Sequence, residues 1–281
     1  MPEGPELKHS RDVLRKLILG KSVTRLITTT DGRYKNQKPV GMELAESNLP
    51  LKVTGVNVKG KFMWWTLEGH NGTWHMFSTY GMSGQWSPYS GRHAGFIVEF
   101  NDSGQLITKD QQKLFFNDQR RFGTIKFISN QQDLTSKLKS LGPDILDDAP
   151  MTSEIFAERI LKKPNRTISE ALMDQGCISG CGNYLKAEAL YRSGVSPLRI
   201  VTDLQSSEIV KLHEELLAAA NESYTDHGAS IRTYKTVEGN KGQAQFYFRI
   251  YNQKKCTFDH DVHREETADG RTSWWCPTCQ K

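Results

Sequence analysis

The sequence lacks several features that would assign a protein class at once. It has no apolar run long enough to cross a bilayer, and its polar N-terminus is unlike a secretory signal. It also has no internal repeat and no low-complexity tract. These absences argue against a membrane-spanning protein and a repeat array, so we expect an intracellular globular protein that is not secreted.

Cysteine is scarce, with five residues in a chain of 281. The odd number, together with the Cys-x-x-Cys pair at Cys276 and Cys279, predicts a reduced compartment and a metal site more than a disulfide framework. The hydrophobic share of 37% is ordinary for a globular protein. The net charge of +5 and the pI near 8.8 permit a polyanionic partner but do not require one.

The chain begins with the hexapeptide MPEGPE. Removal of Met1 would expose Pro2 as a secondary amine, which can attack an aldehyde-like carbon and form an iminium. Glu3 and Glu6 lie beside it, and the leucines that follow recur at helical spacing, so these groups would stand at a positively polarised helix start. The alternative is an ordinary solvated N-terminus with acidic residues that suit a helix start.

Residues 21–128 have the composition of β-strands. Runs of β-branched and aromatic residues alternate with clusters of glycine, asparagine and aspartate. Many short strands with turn signals predict an antiparallel sandwich or barrel. The predicted strands are Ser22–Thr29, Leu51–Val58, Phe62–Leu67, Thr73–Ser78, Gly95–Phe100 and Gly123–Ile128.

Three places in this β region suit contact with nucleic acid, although each also has an ordinary structural interpretation. Lys61, at the start of an aromatic strand, could contact a phosphate or a leaving group, or be a solvated edge charge. Met82, near two glycines, matches the apolar wedges that enter a base stack, or it caps a core. Arg120 could contact the base that has lost its partner, and Phe122 could act as an aromatic wedge. Alternatively, the two residues belong to an ordinary basic loop.

Leu141-Gly142-Pro143-Asp144 and the acidic stretch that continues to Pro150 are predicted to form a domain linker, and beyond it the pattern becomes helical. Between the second and third predicted helices, three glycines and Asn183 precede a helix start and expose backbone N–H groups. Such a turn is an anion site suited to phosphate, or a helix hairpin whose glycines relieve steric strain. The predicted helices are Thr152–Leu161, Thr167–Met173, Tyr184–Arg192 and Ser206 to about Tyr224.

The C-terminal part combines a polar segment with a metal-ligand pattern. Residues 224–245 are predicted to form a long mobile loop, and residues 246–251 a strand. Two thiolates that face a cysteine and a histidine across a short hairpin predict one structural, tetrahedral zinc ion. His263 or Asp259 could replace the histidine of this set, which is Cys256, His260, Cys276 and Cys279.

Together these motifs resemble the formamidopyrimidine-DNA glycosylase/endonuclease VIII (Fpg/Nei) family of base-excision repair enzymes. The resemblance covers essentially the whole chain, and its most distinctive parts are residues 174–188 and 270–280. It implies an α+β fold with an N-terminal helix and antiparallel β-sandwich, a helix–two-turns–helix domain and a zinc-finger β-hairpin. The implied domain boundaries are 1–145, 150–245 and 246–281.

The resemblance also implies roles for individual residues. Pro2 would attack the deoxyribose C1′ and expel the damaged base, while Glu3 assists by proton transfer and Glu6 supports the site. Lys61 would position phosphate and assist the chemistry. The DNA contacts would come from Asn183 and Arg271, which hold phosphates flanking the lesion, and from Met82, Arg120 and Phe122, which fill the gap left by the flipped nucleotide.

Two departures from the usual family pattern affect the expected substrate. Asp118-Gln119 replaces the usual Asp-Pro before the two arginines, and the finger has a histidine where four cysteines are commonest. The Gly60-Lys61 pair and the Cys-His-Cys-Cys finger resemble the Nei-like branch, which implies oxidised pyrimidines as main substrates. The wedge residues, and a loop at 224–245 that is long enough to cover a flipped purine, keep 8-oxoguanine and formamidopyrimidine as alternative substrates.

The implied activity is that of a DNA glycosylase that is also an AP lyase and nicks the strand by β,δ-elimination. We expect a monomer that acts on damaged double-stranded or single-stranded DNA, in the nucleus or the cytoplasm. An alternative is a protein that recognises damaged DNA without catalysis. Retention of Met1 would favour that alternative, because an acylated Pro2 nitrogen is no nucleophile.

Overall fold

The computed structural model describes residues 2–30, 32–101, 112–231 and 234–281. The chain forms two compact units, each assembled from separated stretches of sequence. The first unit consists of Met1–Pro2, Glu6–Leu138 and Ala229–Gly242, and the second of Glu3–Pro5, Lys139–Gly228 and Gln243–Lys281. Among the described residues, no helix has both the length and the apolar character that a membrane span requires.

The first helix, α1, spans Gly4–Ile18, and its position confirms the prediction made from hydrophobic spacing. Leu7, Leu14 and Ile18 lie on one face of it and are at most 2% exposed in the core of the first unit. Gly20 follows with a φ of +83°, a left-handed conformation that glycine adopts at the least cost.

Among its described residues, the first unit is built around a sheet of eight strands. They are β1 (Ser22–Thr28), β2 (Leu51–Lys59), β3 (Phe62–Gly69), β4 (Gly72–Thr79), β5 (Gly84–Ser87), β6 (Ala94–Phe100), β7 (Lys113–Asp118) and β8 (Thr124–Ile128). They pair in the order β5-β7-β6-β1-β2-β3-β4-β8, and every neighbouring pair is antiparallel. Sequence analysis predicts six of them and misses β5 and β7.

Aromatic contacts between strands that are not neighbours in the sheet show that the sheet folds over on itself. Trp65 on β3 packs against Trp86 on β5, with ring centroids 4.9 Å apart. Phe96 on β6 contacts Phe127 on β8 with centroids 6.3 Å apart. The sheet therefore folds over and encloses one apolar core, the two-layer arrangement typical of a β-sandwich.

Two short helices of this part of the chain have no counterpart in the sequence prediction. Helix α2 spans Met42–Glu46 and α3 spans Gln131–Lys139. Helix α2 has only five residues, and α3 has one buried residue, Leu134, among its nine, so their sequences contain little periodic signal. Met42 and Leu134 are nevertheless buried, and tertiary packing therefore stabilises these helices.

The second unit is mainly helical, as predicted. Its helices are α4 (Ser153–Leu161), α5 (Ile168–Met173), α6 (Asn183–Ser193) and α7 (Ser206–Thr225). Thr167 and Glu170 form a reciprocal capping box that fixes the start of α5. Between α5 and α6, the side chain of Gln175 accepts from the Gly180 amide and donates to the Cys181 carbonyl. These contacts hold the two turns of the predicted helix–two-turns–helix motif.

The predicted strand at residues 246–251 is wrong. The chain there forms a 3₁₀ turn, Ala244–Tyr247, followed by irregular backbone. The amides of Arg249, Ile250 and Tyr251 all donate to the carboxylate of Glu188 on α6, at 2.9–3.1 Å. One buried carboxylate thus satisfies donors that a neighbouring strand would otherwise have to satisfy.

The predicted loop at residues 224–245 is confirmed in part: its described residues between Thr225 and Ala244 form no helix or strand. Its mobility stays a prediction, and several of its side chains are buried. Tyr234, Thr236 and Val237 are buried, and Val237 belongs to the β core. The Lys235 amide donates to the Gln85 side chain at 3.2 Å. Residues 232 and 233 lie outside the described residues. The aromatic and aliphatic side chains of this segment anchor it to the first unit.

The C-terminal hairpin consists of β9 (His263–Glu266) and β10 (Thr272–Trp275). The two strands pair in antiparallel register, with Trp275 opposite His263. The predicted zinc-finger hairpin is therefore present in the second unit.

Candidate active site

The carboxylate of Glu3 is bound at the N-terminus of α6. Its oxygens accept from the amides of Tyr184 at 3.0 Å and Leu185 at 3.4 Å, and the residue is 2% exposed. The first amides of a helix have no intrahelical partner, and the helix dipole is positive there. The local field therefore stabilises an ionised acid directly after Pro2 in the chain.

Glycines make room for this acid. A Cβ atom on Gly182 would lie 2.1 Å from the Glu3 carboxyl carbon, so any larger residue would displace the carboxylate. Gly180 has a φ of +97°, and its carbonyl accepts from the Gly4 amide at 2.9 Å. The glycines of this turn therefore do more than relieve strain, because they hold the N-terminal acid against α6.

This contact changes the interpretation of the glycine turn as a phosphate site. Two of the amides that were expected to bind phosphate instead bind Glu3. Asn183 is the first residue of α6, and its side-chain amide donates to the Thr272 carbonyl on β10 at 2.8 Å. The turn thus contains an anion site, and in the free protein the anion is the protein's own carboxylate.

Glu6 occupies a separate buried position in the first unit. It is 1% exposed, and its Oε1 accepts from the Ala229 amide at 2.7 Å. Burial, and then the Glu6 carboxylate, raise the pKa of Tyr234 well above its usual value. Glu6 therefore fixes the start of the 229–242 segment.

Pro2 and Lys61 both belong to the first unit. Pro2 is buried, and Glu3 separates it from Gly4, the first residue of α1. Gly60 and Lys61 form the two-residue turn between β2 and β3, where Gly60 has a φ of +56°. The Lys61 side chain is half-buried, on a rigid hairpin rather than inside a strand.

The three predicted wedge residues occupy two adjacent loops of the first unit. Met82 is half-buried after Gly81, and a Cβ on Gly81 would lie 2.7 Å from the Phe122 carbonyl carbon. Phe122 is 52% exposed, and the guanidinium of Arg120 lies 5.0 Å from the centre of its ring. The structure therefore brings the loop that carries Met82 next to the turn that carries Arg120 and Phe122.

Asp118, which sequence analysis does not assign a role, joins these two loops. Its buried carboxylate accepts from the Ser83 hydroxyl at 2.5 Å and from the Gly123 amide at 2.7 Å. The Arg120 amide donates to the same carboxylate at 3.2 Å. The carboxylate thus shapes the turn even though Gln119 replaces the usual proline.

A buried ion pair fixes the hairpin that carries Arg271. The ammonium of Lys186 on α6 donates to Asp269 at 2.5 Å and to Ser273 at 2.8 Å, and the Lys186 side chain is 0% exposed. Asp269 also accepts from the Arg271 amide at 3.1 Å. Burial lowers the pKa of Lys186, and Asp269 opposes that effect. The Arg271 side chain itself is exposed, on a backbone that is firmly held.

Four predicted metal ligands come together in the second unit. The ligand atoms of Cys256, His260, Cys276 and Cys279 all lie within 4.8 Å of one another. The Sγ atoms of Cys256 and Cys279 are 3.9 Å apart, and Nδ1 of His260 is 3.7 Å and 3.3 Å from them. A tetrahedral site with Zn–S bonds of about 2.3 Å has S–S edges of about 3.8 Å, so the cluster fits zinc.

The structure also decides between the alternative histidines. His263 is exposed at the start of β9, and its ring contacts Trp275 at a centroid distance of 5.6 Å. Neither His263 nor Asp259 belongs to the ligand cluster found among the described residues. His260 is therefore the histidine placed to bind a metal.

Comparison with known proteins gives the same assignment. Residues 1–125 match the family model for the formamidopyrimidine-DNA glycosylase N-terminal domain, and residues 141–235 match the model for its H2TH domain. The formamidopyrimidine-DNA glycosylases of Geobacillus kaustophilus and Bacillus licheniformis are 29% and 28% identical to this chain, with 100% of each sequence covered.

Solved structures agree over the same length. The MutM (Fpg) protein of Thermus thermophilus superposes with a TM-score of 0.82 at 26% identity, covering 99% of this chain and 98% of that one. Lactococcus lactis Fpg bound to DNA with an abasic site gives 0.83 at 25% identity, covering 99% of both chains. A mutant of that protein bound to Fapy-dG DNA gives 0.83 at 25%, with 100% covered in each.

The fold and the comparisons define a DNA-binding glycosylase of base-excision repair. The chain belongs to the formamidopyrimidine-DNA glycosylase/endonuclease VIII family. It is a DNA N-glycosylase with AP lyase activity, and the Lactococcus lactis relative is the protein seen bound to damaged DNA.

Proposed function

We propose that the protein excises oxidised purines, formamidopyrimidines and 8-oxoguanine, through an iminium formed by Pro2. The position of Glu3 carries the catalytic part of this proposal. A buried acid bound at the N-terminus of α6 directly follows Pro2, which is a secondary amine once Met1 is removed. No structural role requires both groups together, whereas amine catalysis at a sugar carbon uses both.

The bond changes in this mechanism balance without an outside oxidant or reductant. The Pro2 nitrogen forms a bond to C1′ of the damaged nucleotide, and the bond from C1′ to the base breaks. The sugar ring opens with proton transfer assisted by Glu3, and the resulting iminium makes the C2′ proton acidic. Loss of that proton expels the 3′-phosphate, and a second elimination expels the 5′-phosphate, giving β,δ-elimination. Water then hydrolyses the iminium and frees Pro2.

DNA contacts are proposed for residues of both units. One hydrogen of the Asn183 side-chain amide binds Thr272, and the second is left for a phosphate oxygen. Arg271 and Lys61 would supply positive charge to the backbone. Met82, Arg120 and Phe122 would fill the space of the flipped nucleotide, since unstacking a base costs a few kcal/mol that wedges must offset. The proposed division into residues 1–145, 150–245 and 246–281 follows these roles.

The preference for oxidised purines rests on the relatives. The curated relatives at 28–29% identity are named formamidopyrimidine-DNA glycosylases, and a Lactococcus lactis relative binds Fapy-dG DNA. These names favour purine lesions over the oxidised pyrimidines expected from the Gly60-Lys61 pair and the finger. Oxidised pyrimidines remain the second candidate, because the structure places His260 in the ligand cluster as that expectation requires.

We also propose that one zinc ion binds Cys256, His260, Cys276 and Cys279. It would be structural, because four protein ligands leave no position for a reacting water. Its role would be to stabilise the fold of the finger and so to hold the backbone of Arg271, which lies on the same hairpin.

Borohydride trapping tests the mechanism. With duplex DNA that contains 8-oxoguanine, sodium borohydride should reduce the iminium to a stable covalent protein–DNA adduct. Pro2→Gly should lower the yield of adduct at least 100-fold, whereas Pro39→Gly, a proline outside the proposed site, should leave it within twofold. Intact-mass measurement beforehand checks that Met1 is removed. Absence of an adduct with mature protein would overturn the proposal and leave a non-catalytic binder.

A lesion panel separates the two substrate candidates. Single-turnover excision is measured on formamidopyrimidine, 8-oxoguanine, thymine glycol and 5-hydroxyuracil, in duplex and in single-stranded oligonucleotides. We expect rates at least tenfold higher for the purine lesions in duplex DNA. Higher rates for the two pyrimidine lesions would instead support the second candidate.

A further inference from the structure

Helix α3 takes no part in the proposed chemistry, yet it packs against the hairpin that carries Lys61. The turn Gly60-Lys61 joins β2 to β3, and the register of the two strands pairs Lys59 with Phe62 across it. These two residues are the strand ends on either side of the turn. Each of them contacts α3, so the helix is placed to control the position of the turn.

The side chain of Lys59, the last residue of β2, reaches the C-terminal turn of α3. Its ammonium donates to the Leu138 carbonyl at 3.1 Å, one residue before the helix ends at Lys139. The last carbonyls of a helix receive no hydrogen bond from within the helix, and the helix dipole is negative there. A lysine suits this position for both reasons. The contact therefore ties the end of β2 to the end of α3.

The opposite side of the turn is held by an aromatic residue. Phe62 is 4% exposed, and the ammonium of Lys137 on α3 lies 5.4 Å from the centre of its ring. The same ring packs against Trp64 on β3 and Phe77 on β4, at centroid distances of 5.7 Å and 4.9 Å. The start of β3 is therefore fixed both by the sheet and by α3.

Helix α3 is itself attached firmly to the sheet. At its first residue, Oε1 of Gln131 lies 2.8 Å from Nε2 of His75 on β4, and His75 is 3% exposed. The other ring nitrogen of His75 lies 3.4 Å from the Thr66 hydroxyl on β3. Leu134, in the middle of the helix, is 4% exposed. A helix that is held at its start, its middle and its end can act as a rigid support for the turn.

Such a support matters for the group that the turn carries. The ammonium of Lys61 stands on a flexible four-carbon stem, so it keeps a defined position only if the backbone below it does not move. Gly60 permits the turn with a φ of +56°, but it has no side chain that could restrain it. A displacement of about 1 Å in a group that assists a reaction can slow that reaction about 100-fold.

We propose that α3 positions Lys61, and that Lys59 is the positioning residue through which the helix acts. Lys59 touches no reacting atom in this scheme, because its ammonium is directed to a helix carbonyl. It fixes the end of β2 and thereby the backbone of the turn. This inference rests on the proposed role of Lys61 in excision. Loss of the Lys59 ammonium should slow the chemical step and leave the affinity for DNA nearly unchanged.

Lys59→Met tests the inference, because it keeps the length and apolar stem of the side chain but removes the donor. With zinc-loaded mature protein in saturating excess, single-turnover excision of the lesion that wild type removes fastest should slow at least tenfold. The Kd for duplex DNA with an abasic-site analogue should stay within twofold of wild type. Lys59→Arg, which keeps a cationic donor, should restore excision to within threefold. Lys52→Met, at an exposed lysine at the other end of β2, should change neither quantity more than twofold.

A double-mutant cycle with Lys61→Ala separates positioning from general damage to the fold. Lys61→Ala alone should slow excision at least 100-fold. In that background, Lys59→Met should change the residual rate less than twofold, because no ammonium is left to position.

Three results would overturn the inference while the proposed function stands. They are wild-type excision by Lys59→Met, the same tenfold loss when Lys61 is already alanine, and a weaker Kd with an unchanged rate at saturation. The last of these would make Lys59 a phosphate contact. Wild-type excision by Lys61→Ala would instead show that the proposed role of Lys61 is wrong, and the inference would fall with it.

Discussion

At the scale of single residues, the main finding is that an N-terminal acid is held by a helix from the middle of the chain. Glu3 and Tyr184 are separated by 181 positions, and their contact depends on the absence of a side chain at Gly182. A carboxylate that accepts backbone amides at a helix start is both oriented and kept ionised.

Glu3→Gln tests this arrangement. The amide keeps the shape of the side chain but turns one acceptor into a donor that faces a helix amide, so we expect a loss of about 1–3 kcal/mol in the free energy of unfolding. Base excision should slow by about 100- to 10,000-fold, the usual size of a proton-transfer contribution. Thermal melting and single-turnover kinetics measure the two effects.

The matched control for that test is Glu43→Gln, which changes an exposed acid on α2. It should leave both the melting temperature and the excision rate unchanged. An excision rate within threefold of wild type for Glu3→Gln would rule out a catalytic part for this carboxylate.

At the scale of elements, short-range hydrogen bonds position the loops that carry the candidate DNA contacts. Asp118 joins the Met82 loop to the Arg120 turn, and the Lys186–Asp269 pair fixes the hairpin that carries Arg271. A buried ion pair adds little net stability compared with apolar packing. The Asp118 hydrogen bonds and the Lys186–Asp269 ion pair instead fix the positions of the exposed side chains that are proposed to contact phosphates and bases.

The C-terminal hairpin offers a prediction about metal binding. His260→Ala should weaken zinc binding more than about 100-fold, beyond the usual effect of losing an outer-shell partner, and should lower the melting temperature. His263→Ala removes an equivalent ring three residues away and should keep one zinc ion per protein. Metal analysis by mass spectrometry after dialysis against a weak chelator distinguishes the two variants.

The opposite pattern, with zinc lost from His263→Ala and kept in His260→Ala, would show that the ligand set is wrong. Full retention of DNA binding after zinc is stripped from wild type would show that the ion has no part in placing Arg271.

At the scale of the whole molecule, each compact unit is completed by residues from distant parts of the sequence. Residues 229–242 follow the helices of the second unit in the chain but belong to the first unit. Val237, at 1% exposure, is part of the same core as Trp65 and Leu7. The β core is therefore incomplete until almost the whole chain has been made.

Val237→Ala should consequently destabilise the first unit, although Val237 is separated in sequence from the strands of that unit. Removing two buried carbon atoms should cost about 1–3 kcal/mol and lower the melting temperature by several degrees. Val210→Ala, at a position on α7 that is 41% exposed, should change stability by less than about 0.5 kcal/mol. Equal melting temperatures for the two variants would contradict the assignment of this segment to the core.

Much of this architecture could be predicted from local patterns. Helix α1, six strands of the sheet, α4–α7 and the finger ligands have periodicities or spacings that survive folding unchanged. Strand β5 has only four residues, and α2 only five, which is too short for periodicity to show. The segment at 246–251 has a strand-like composition, but Glu188 satisfies its amides and no strand pairs with it.

The sequence by itself determined the family, the nucleophile candidate and the three cysteine ligands of the zinc site, because each depends on residue type and spacing along the chain. Only the tertiary structure decided that Glu3 sits on α6, that Asp118 joins the wedge loops and that His260 is nearer the cysteines than His263. The first two contacts link residues that lie far apart in sequence, and the third distinguishes two histidines with the same side-chain chemistry. No local pattern encodes such choices, because they follow from where the backbone brings each donor and acceptor.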